Sequence, residues 1–151
     1  MGPGAWGCWV LLLACLAGPC GAGAQPEAET PQAPAYGAVL VKDLAGREPT
    51  REFDCLSRVY LYVTWYRVYG PHRVTALWYN PQGKQEDAHD LDFEGGEEVS
   101  CWLALEFINV QNERNPMMVN TAAARFHGNW KVKLLLDGQE VETLPFSVSC
   151  G

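Results

Sequence analysis

A period-two alternation of apolar and polar side chains most limits the folds open to this chain. It is clearest over residues 128–148, GNWKVKLLLDGQEVETLPFSV. Trp130, Val132, Leu134 and Leu136 alternate with Lys131, Lys133 and Leu135, which gives a strand with one face for a core and one for water. Asp137 and Gly138 follow, and both tolerate the positive φ that a two-residue type I′ hairpin turn requires. Such a turn pairs Lys133 with Glu142 on the outer face and Leu134 with Val141 on the inner one. The apolar series then changes phase to Leu144, Phe146 and Val148. A bulge or a switch between sheets is therefore expected around Thr143, Leu144 and Pro145, because a proline interrupts a central ladder.

Residues 55–69 repeat the pattern. Val59, Leu61, Val63 and Trp65 share one side; Tyr60, Tyr62, Thr64 and Tyr66 share the other. Their β-branched and aromatic content selects a strand over a helix. Gly70 and Pro71 end that run, and residues 74–79, VTALWY, read as its partner strand. Asn80, Pro81, Gln82 and Gly83 have type I turn chemistry. Residues 84–98 hold seven acidic side chains and read as an exposed excursion. In residues 99–108, Val99, Cys101, Leu103, Leu105 and Phe107 fall on one face and Ser100, Trp102, Ala104 and Glu106 on the other. Residues 36–42 form a further strand and 43–51 a loop, while 109–127 hold either a short helical turn near Pro116 or an irregular crossover. At least six short strands without a long amphipathic helix predict an all-β domain, an antiparallel sandwich of about seven strands over residues 36–151.

Residues 1–24 contain no charged side chain and include the apolar run WVLLLACLAG, of the length of a signal-peptide core and too short to span a bilayer. Ala22, Gly23 and Ala24 match a signal-peptidase site, so the mature chain is expected to begin at Gln25. No Lys or Arg precedes the run. Cys15 and Cys20 keep open a second route, cleavage and lipid anchoring as an envelope lipoprotein, and with it the type of signal peptidase. Residues 25–35, QPEAETPQAPA, have little to bury and read as a disordered lead-in or tether. No second run has membrane-spanning length. The net charge of −7 falls wholly after residue 24, which argues against nucleic acid and anionic headgroups as partners. Three cysteines follow the expected cleavage site: Cys55, Cys101 and Cys150. An oxidising compartment would make one disulfide and leave one thiol, and three reduced, buried cysteines are the ordinary alternative. The sequence leaves all three pairings open; the position of Cys55 and Cys101 inside strand-like runs favours Cys55–Cys101.

With these residues in place, the chain resembles the immunoglobulin-like modules of secreted and periplasmic bacterial proteins. Trp78 to Lys84 carries the resemblance as an exposed turn, and Gly128 to Val148 as the last hairpin. The resemblance implies an immunoglobulin-like β-sandwich used as a spacer, adhesion unit or binding unit, and no reaction. Cys55, Trp65 and Cys101 occur in the order of an antibody-type domain, but Val99 stands where such a domain has its corner tyrosine.

No catalytic motif is present: there is no G-x-S-x-G elbow, H-E-x-x-H, P-loop or G-x-G-x-x-G. Asp90, Asp92, Glu94 and Gly95 follow the first half of a calcium loop, but Cys101 stands where its closing glutamate belongs, so a solvated acidic loop is the ordinary reading. His72, His89 and His127 are scattered over three loops and lack the close pair of a zinc site. No cofactor, metal or catalytic residue is assigned. The tyrosine row Tyr60, Tyr62 and Tyr66, with Trp78 or Tyr79 nearby, is the candidate binding face for a protein or glycan partner; the ordinary alternative is packing across strands. The expected role is a non-enzymatic interaction or structural module, secreted or periplasmic. An enzyme accessory or hydrolase with its site in the loops is the reading from another class.

Overall fold

The computed structural model describes residues 33–107 and 125–150 of the 151. The expected signal peptide, most of the lead-in, the last residue of the expected strand 99–108 and residues 109–124 of the crossover lie outside the described residues. Six strands follow one another: β1 (Ala35–Val41), β2 (Glu52–Asp54), β3 (Val59–Tyr79), β4 (Gln85–Leu105), β5 (Gly128–Leu136) and β6 (Gln139–Ser149). They form one sheet of order β1-β3-β5-β6-β2, with β4 on the other flank of β3. The sheet curls over so that its two ends enclose the core. Among the described residues there is no helix, and none long and apolar enough to cross a membrane.

The curl is built into β3 and β4, each 21 residues long. Residues 74–79 are not a partner strand for residues 55–69, as the sequence implied; they are the second half of the same strand. The first half of β3 lies between β1 and β4, and the second half between β4 and β5. Gly70 and Pro71 bend the strand without ending it. Val68 pairs with Gly96 and Gly70 with Gly95, so Tyr69 is an extra residue on β3, two residues after Arg67, whose φ of 53° lies in the region normally left to glycine. The inward phase reverses just before the bulge, between Trp65 and the buried Val68, where Tyr66 and Arg67 are both exposed. Before it Val59, Leu61, Val63 and Trp65 are buried; after it Val74, Ala76 and Trp78 are.

The partner of β3 is the acidic stretch, which is strand and not an excursion. Asp and Glu are poor strand formers, but the cross-strand setting decides here. On the outer face Asp92 takes a bidentate pair from Arg73, at 2.6 and 2.9 Å, and Asp90 accepts from the Thr75 hydroxyl at 2.5 Å.

The hairpin β5–β6 has its Asp137-Gly138 turn, both residues at positive φ (49° and 81°). Its register differs by one residue from the expected one. Leu134 pairs with Glu142 and Leu135 with Glu140, so Val141 is bulged out and Lys133 faces Thr143. Lys133 reaches Glu140 instead of Glu142, at 2.8 Å. The bulge anticipated over Thr143, Leu144 and Pro145 thus occurs two residues before that stretch, at Val141. Beyond it Leu144, Phe146 and Val148 point inward. Pro145 precedes the short stretch where β2 joins β6, so its missing N–H costs no bond to β2.

The core is aromatic. Phe146 packs edge-on to Phe53 and Trp78 and stacks on Trp130; Trp65 stacks on Phe93. The expected Cys55–Cys101 pairing is overturned: the disulfide joins Cys55 to Cys150, with Cα atoms 5.4 Å apart. The cause is a strand too short to recognise in the sequence. β2 runs parallel to β6 with Asp54 opposite Ser149, and continuing that register sets Cys55 beside Cys150. Cys101 stays a free, buried thiol.

Candidate functional site: an aromatic outer face beside a cleft

The alternation that buries Leu61, Val63 and Trp65 turns Tyr60, Tyr62, Thr64 and Tyr66 to the outer face of β3. In β4 the same logic buries Cys101 and Leu103 and exposes Trp102. Strand register places Trp102 opposite Tyr62. Trp102 also meets the ring of Tyr60 edge-on at 5.6 Å, and it is 49% exposed. Tyr66 is 40% exposed. Between them Thr64 and Ser100 share a hydrogen bond of 2.9 Å. Arg47, from the loop after β1, lies over the Tyr62 ring at 5.1 Å and donates to its hydroxyl at 2.8 Å. Arg58 and Glu106 form an ion pair of 2.5 Å at the edge of this face. The three tyrosines are thus on one face of one sheet, but Tyr60 and Tyr62 already have intramolecular partners.

The other proposed companions separate. Trp78 is fully buried in the core. Tyr79 lies on the second half of β3, under the ammonium groups of Lys131 and Lys133. Trp102 was missed as a member of the face. Its signal was present: it alternates with Cys101 and Leu103, so burial of those two requires its exposure.

Next to Trp102 a cleft of about 600 Å³ opens between the two halves of β4. His89, Leu91 and Phe93 line one wall, and Ser100, Trp102 and Leu103 the other. Cys101 lies at its floor. Burial pushes the Cys101 thiol up, and the adjacent Trp65 indole opposes this more weakly. The Trp65 N–H itself has no well-formed hydrogen bond in this interior. Such a thiol is a poor nucleophile.

A second, shallower hollow at the bend holds His72, Arg73, Asp92, Glu94 and Asp137. The His72 ring faces two acceptors, the Asp137 carboxylate at 2.7 Å and the Tyr69 carbonyl at 2.9 Å. The hydrogen bonds from His72 to both hold its pKa above the ordinary imidazole value. Asp137 is held below the usual carboxylate range, first by the Arg73 backbone N–H and then by His72. His89 accepts from the Trp78 indole at 3.2 Å, and His127 accepts from the Cys150 backbone N–H at 3.4 Å. The three histidines serve three separate places. Asp90 and Asp92 lie along a strand and have protein partners, so the calcium-loop pattern does not fold as a loop. Among the described residues no group of three His, Cys, Asp or Glu side chains converges on a point a metal ion could occupy.

The class defined by this arrangement is an all-β, immunoglobulin-like sandwich closed by an intramolecular disulfide. No protein family and no curated protein matches the chain. Solved structures similar in fold include the alkylpurine DNA glycosylase AlkC of Pseudomonas fluorescens bound to abasic-site DNA (10% identity, TM-score 0.49, 77% of this chain and 30% of that one). They also include the CARDB domain of a Pyrococcus furiosus protein in complex with di-metal ions (11%, TM-score 0.40, 78% and 90%) and an immunoglobulin-like protein of Pseudomonas aeruginosa (13%, TM-score 0.37, 76% and 92%). The chain spans less than a third of the glycosylase's length.

Proposed function

We propose that the protein is a non-enzymatic interaction module of the secreted or periplasmic space that holds a protein or glycan partner on its outer aromatic face. The observation that carries this reading is Trp102: a half-exposed indole, continuous with Tyr60, Tyr62 and Tyr66, on a three-stranded surface. Trp and Tyr are the side chains that dominate binding energy at interfaces, since they remove a large apolar area from water while keeping a polar tip. The Cys55–Cys150 bond supports an oxidising compartment, as does the expected signal segment. The non-catalytic part of the reading is supported by the ionisable groups of the hollow at the bend, which are engaged with one another, and by the buried state of Cys101.

The test compares the wild-type protein with a Tyr66→Ala, Trp102→Ala double variant, on a glycan array and in co-purification from the native envelope. Loss of a hot-spot aromatic is expected to weaken capture roughly thirtyfold, about 2 kcal/mol, with an unchanged melting temperature. Capture that survives in the double variant would sink the aromatic-face reading.

A further inference from the structure

Strand β4 presents a second kind of surface. Among the described residues it pairs with β3 alone over its 21 residues, while β3 has neighbours on both flanks. Its other edge therefore bounds both ends of the curled sheet, and the cleft lies where the two half-strands look toward each other. An unpaired edge is a row of backbone donors and acceptors that can template another strand. Here the floor beside it is apolar. Phe93 lies flat on the buried Trp65, and Leu103 and Cys101 are buried.

The charge of the strand selects what can dock. β4 carries seven acidic residues and no Lys or Arg. Among the described residues, the cations that form ion pairs with them are Arg73 on Asp92 and, when protonated, His89 beside Asp87. A second copy of β4 would set like charges against each other, which disfavours self-pairing. A segment of opposite charge gains in the same geometry.

We propose that the free edge of β4 accepts an extended, Lys- or Arg-bearing peptide segment of a protein partner as an added strand. Main-chain hydrogen bonds form along the half-strand containing Ser100 and Trp102. Alternate apolar side chains of the segment enter the cleft over Phe93 and Leu103, and the intervening cations point to the outer face, where Glu98 stands in line with Ser100 and Trp102. This rests on the interaction-module reading and adds to it the chemistry of the partner.

The probe is a blocked octapeptide alternating Lys and Val, titrated at low salt into the 15N-labelled mature protein. Amide exchange is first measured without peptide. The expected result is fast exchange at those β4 amides that are not bonded to β3, slowed when the peptide is added, with shift changes confined to β4 and the cleft. The Glu–Val counterpart and a peptide N-methylated at alternate residues should not bind. Glu98→Gln should weaken the Lys–Val peptide by about threefold. Three results would each overturn the proposal: the same amides already protected in the free protein, an N-methylated peptide binding equally well, or no change at β4 at millimolar peptide. A partner captured through Tyr66 and Trp102 that leaves β4 exchange untouched would retain the module and remove only the added strand. Loss of both would remove both.

Discussion

Adjacent glycines in β4 should respond very differently to the same substitution. At Gly95 an added Cβ would lie 1.8 Å from the Val68 carbonyl oxygen and 2.7 Å from its carbon. Both atoms are backbone, at the bulge where Val68 pairs with Gly96 and Gly70 with Gly95. No rotamer change relieves the overlap; one of the two strands must move by more than 1 Å. Overpacking against side chains costs typically about 1–3 kcal/mol, and a rigid backbone neighbour places Gly95→Ala at about 3 kcal/mol or above. At Gly96 the nearest atom is a Val99 methyl at 3.5 Å, an ordinary contact, so Gly96→Ala should be within about 0.5 kcal/mol of wild type. Urea denaturation with both m-values fitted measures the difference, and Gly95→Ala should also melt about 10 °C lower. Equal stability of the two variants would refute the view that close approach of β4 to the bulge creates the curl. Gly37, with nothing within 4 Å of its Cβ position, is the positive control: Gly37→Ala should stabilise by about 0.5 kcal/mol.

Three other predictions follow from the structure. Replacing Cys55 and Cys150 by Ser opens a loop of 95 residues in sequence, and the chain-entropy model puts the loss near 4.7 kcal/mol, readable as a fall in urea midpoint; a Cys101→Ser variant should keep the bond, seen as an unchanged mass after alkylation without reductant. The Cys101 thiol should react with iodoacetamide at pH 8 only slowly in the folded protein and quickly in denaturant, because burial raises its pKa and shields it; equal rates would contradict that burial. The His72–Asp137 contact should be sensitive to pH. His72 is raised, so its stabilisation is complete below the unfolded imidazole pKa and is lost as pH rises through the folded value; Asp137 is lowered, so its part is present above the unfolded carboxylate pKa and is lost as pH falls through the folded one. The stability difference between wild type and His72→Gln should therefore be largest near pH 5 to 6 and shrink by about pH 8.5, and a difference that grows with pH would reverse the assignment.

The local content of the fold was legible in the sequence. Alternation identified the buried faces of the first half of β3, the second half of β4 and β5, and with them the tyrosine row, because side-chain direction in a strand follows from parity alone. The Asp137-Gly138 turn and the Asn80 to Gly83 turn were equally legible, since φ > 0 and Asx hydrogen bonding are properties of single residues; Asn80 accepts from Gln82 and Lys84 backbone N–H groups at 3.1 and 3.0 Å. Trp102 could have been read from the same parity.

What belonged to tertiary structure was every pairing across long sequence distance. Whether Gly70 and Pro71 stop a strand or bend it depends on Gly95 lying opposite, 25 residues away. Whether an acidic stretch is loop or strand depends on Arg73 and Thr75 waiting across the ladder. The bulge at Val141 shifts a register that turn type alone would set. The disulfide depends on a three-residue parallel strand, β2, whose only reason to exist is the edge of β6. Parity is a property of one chain segment, whereas register and pairing are relations between two, and only the folded sheet decides which segments meet.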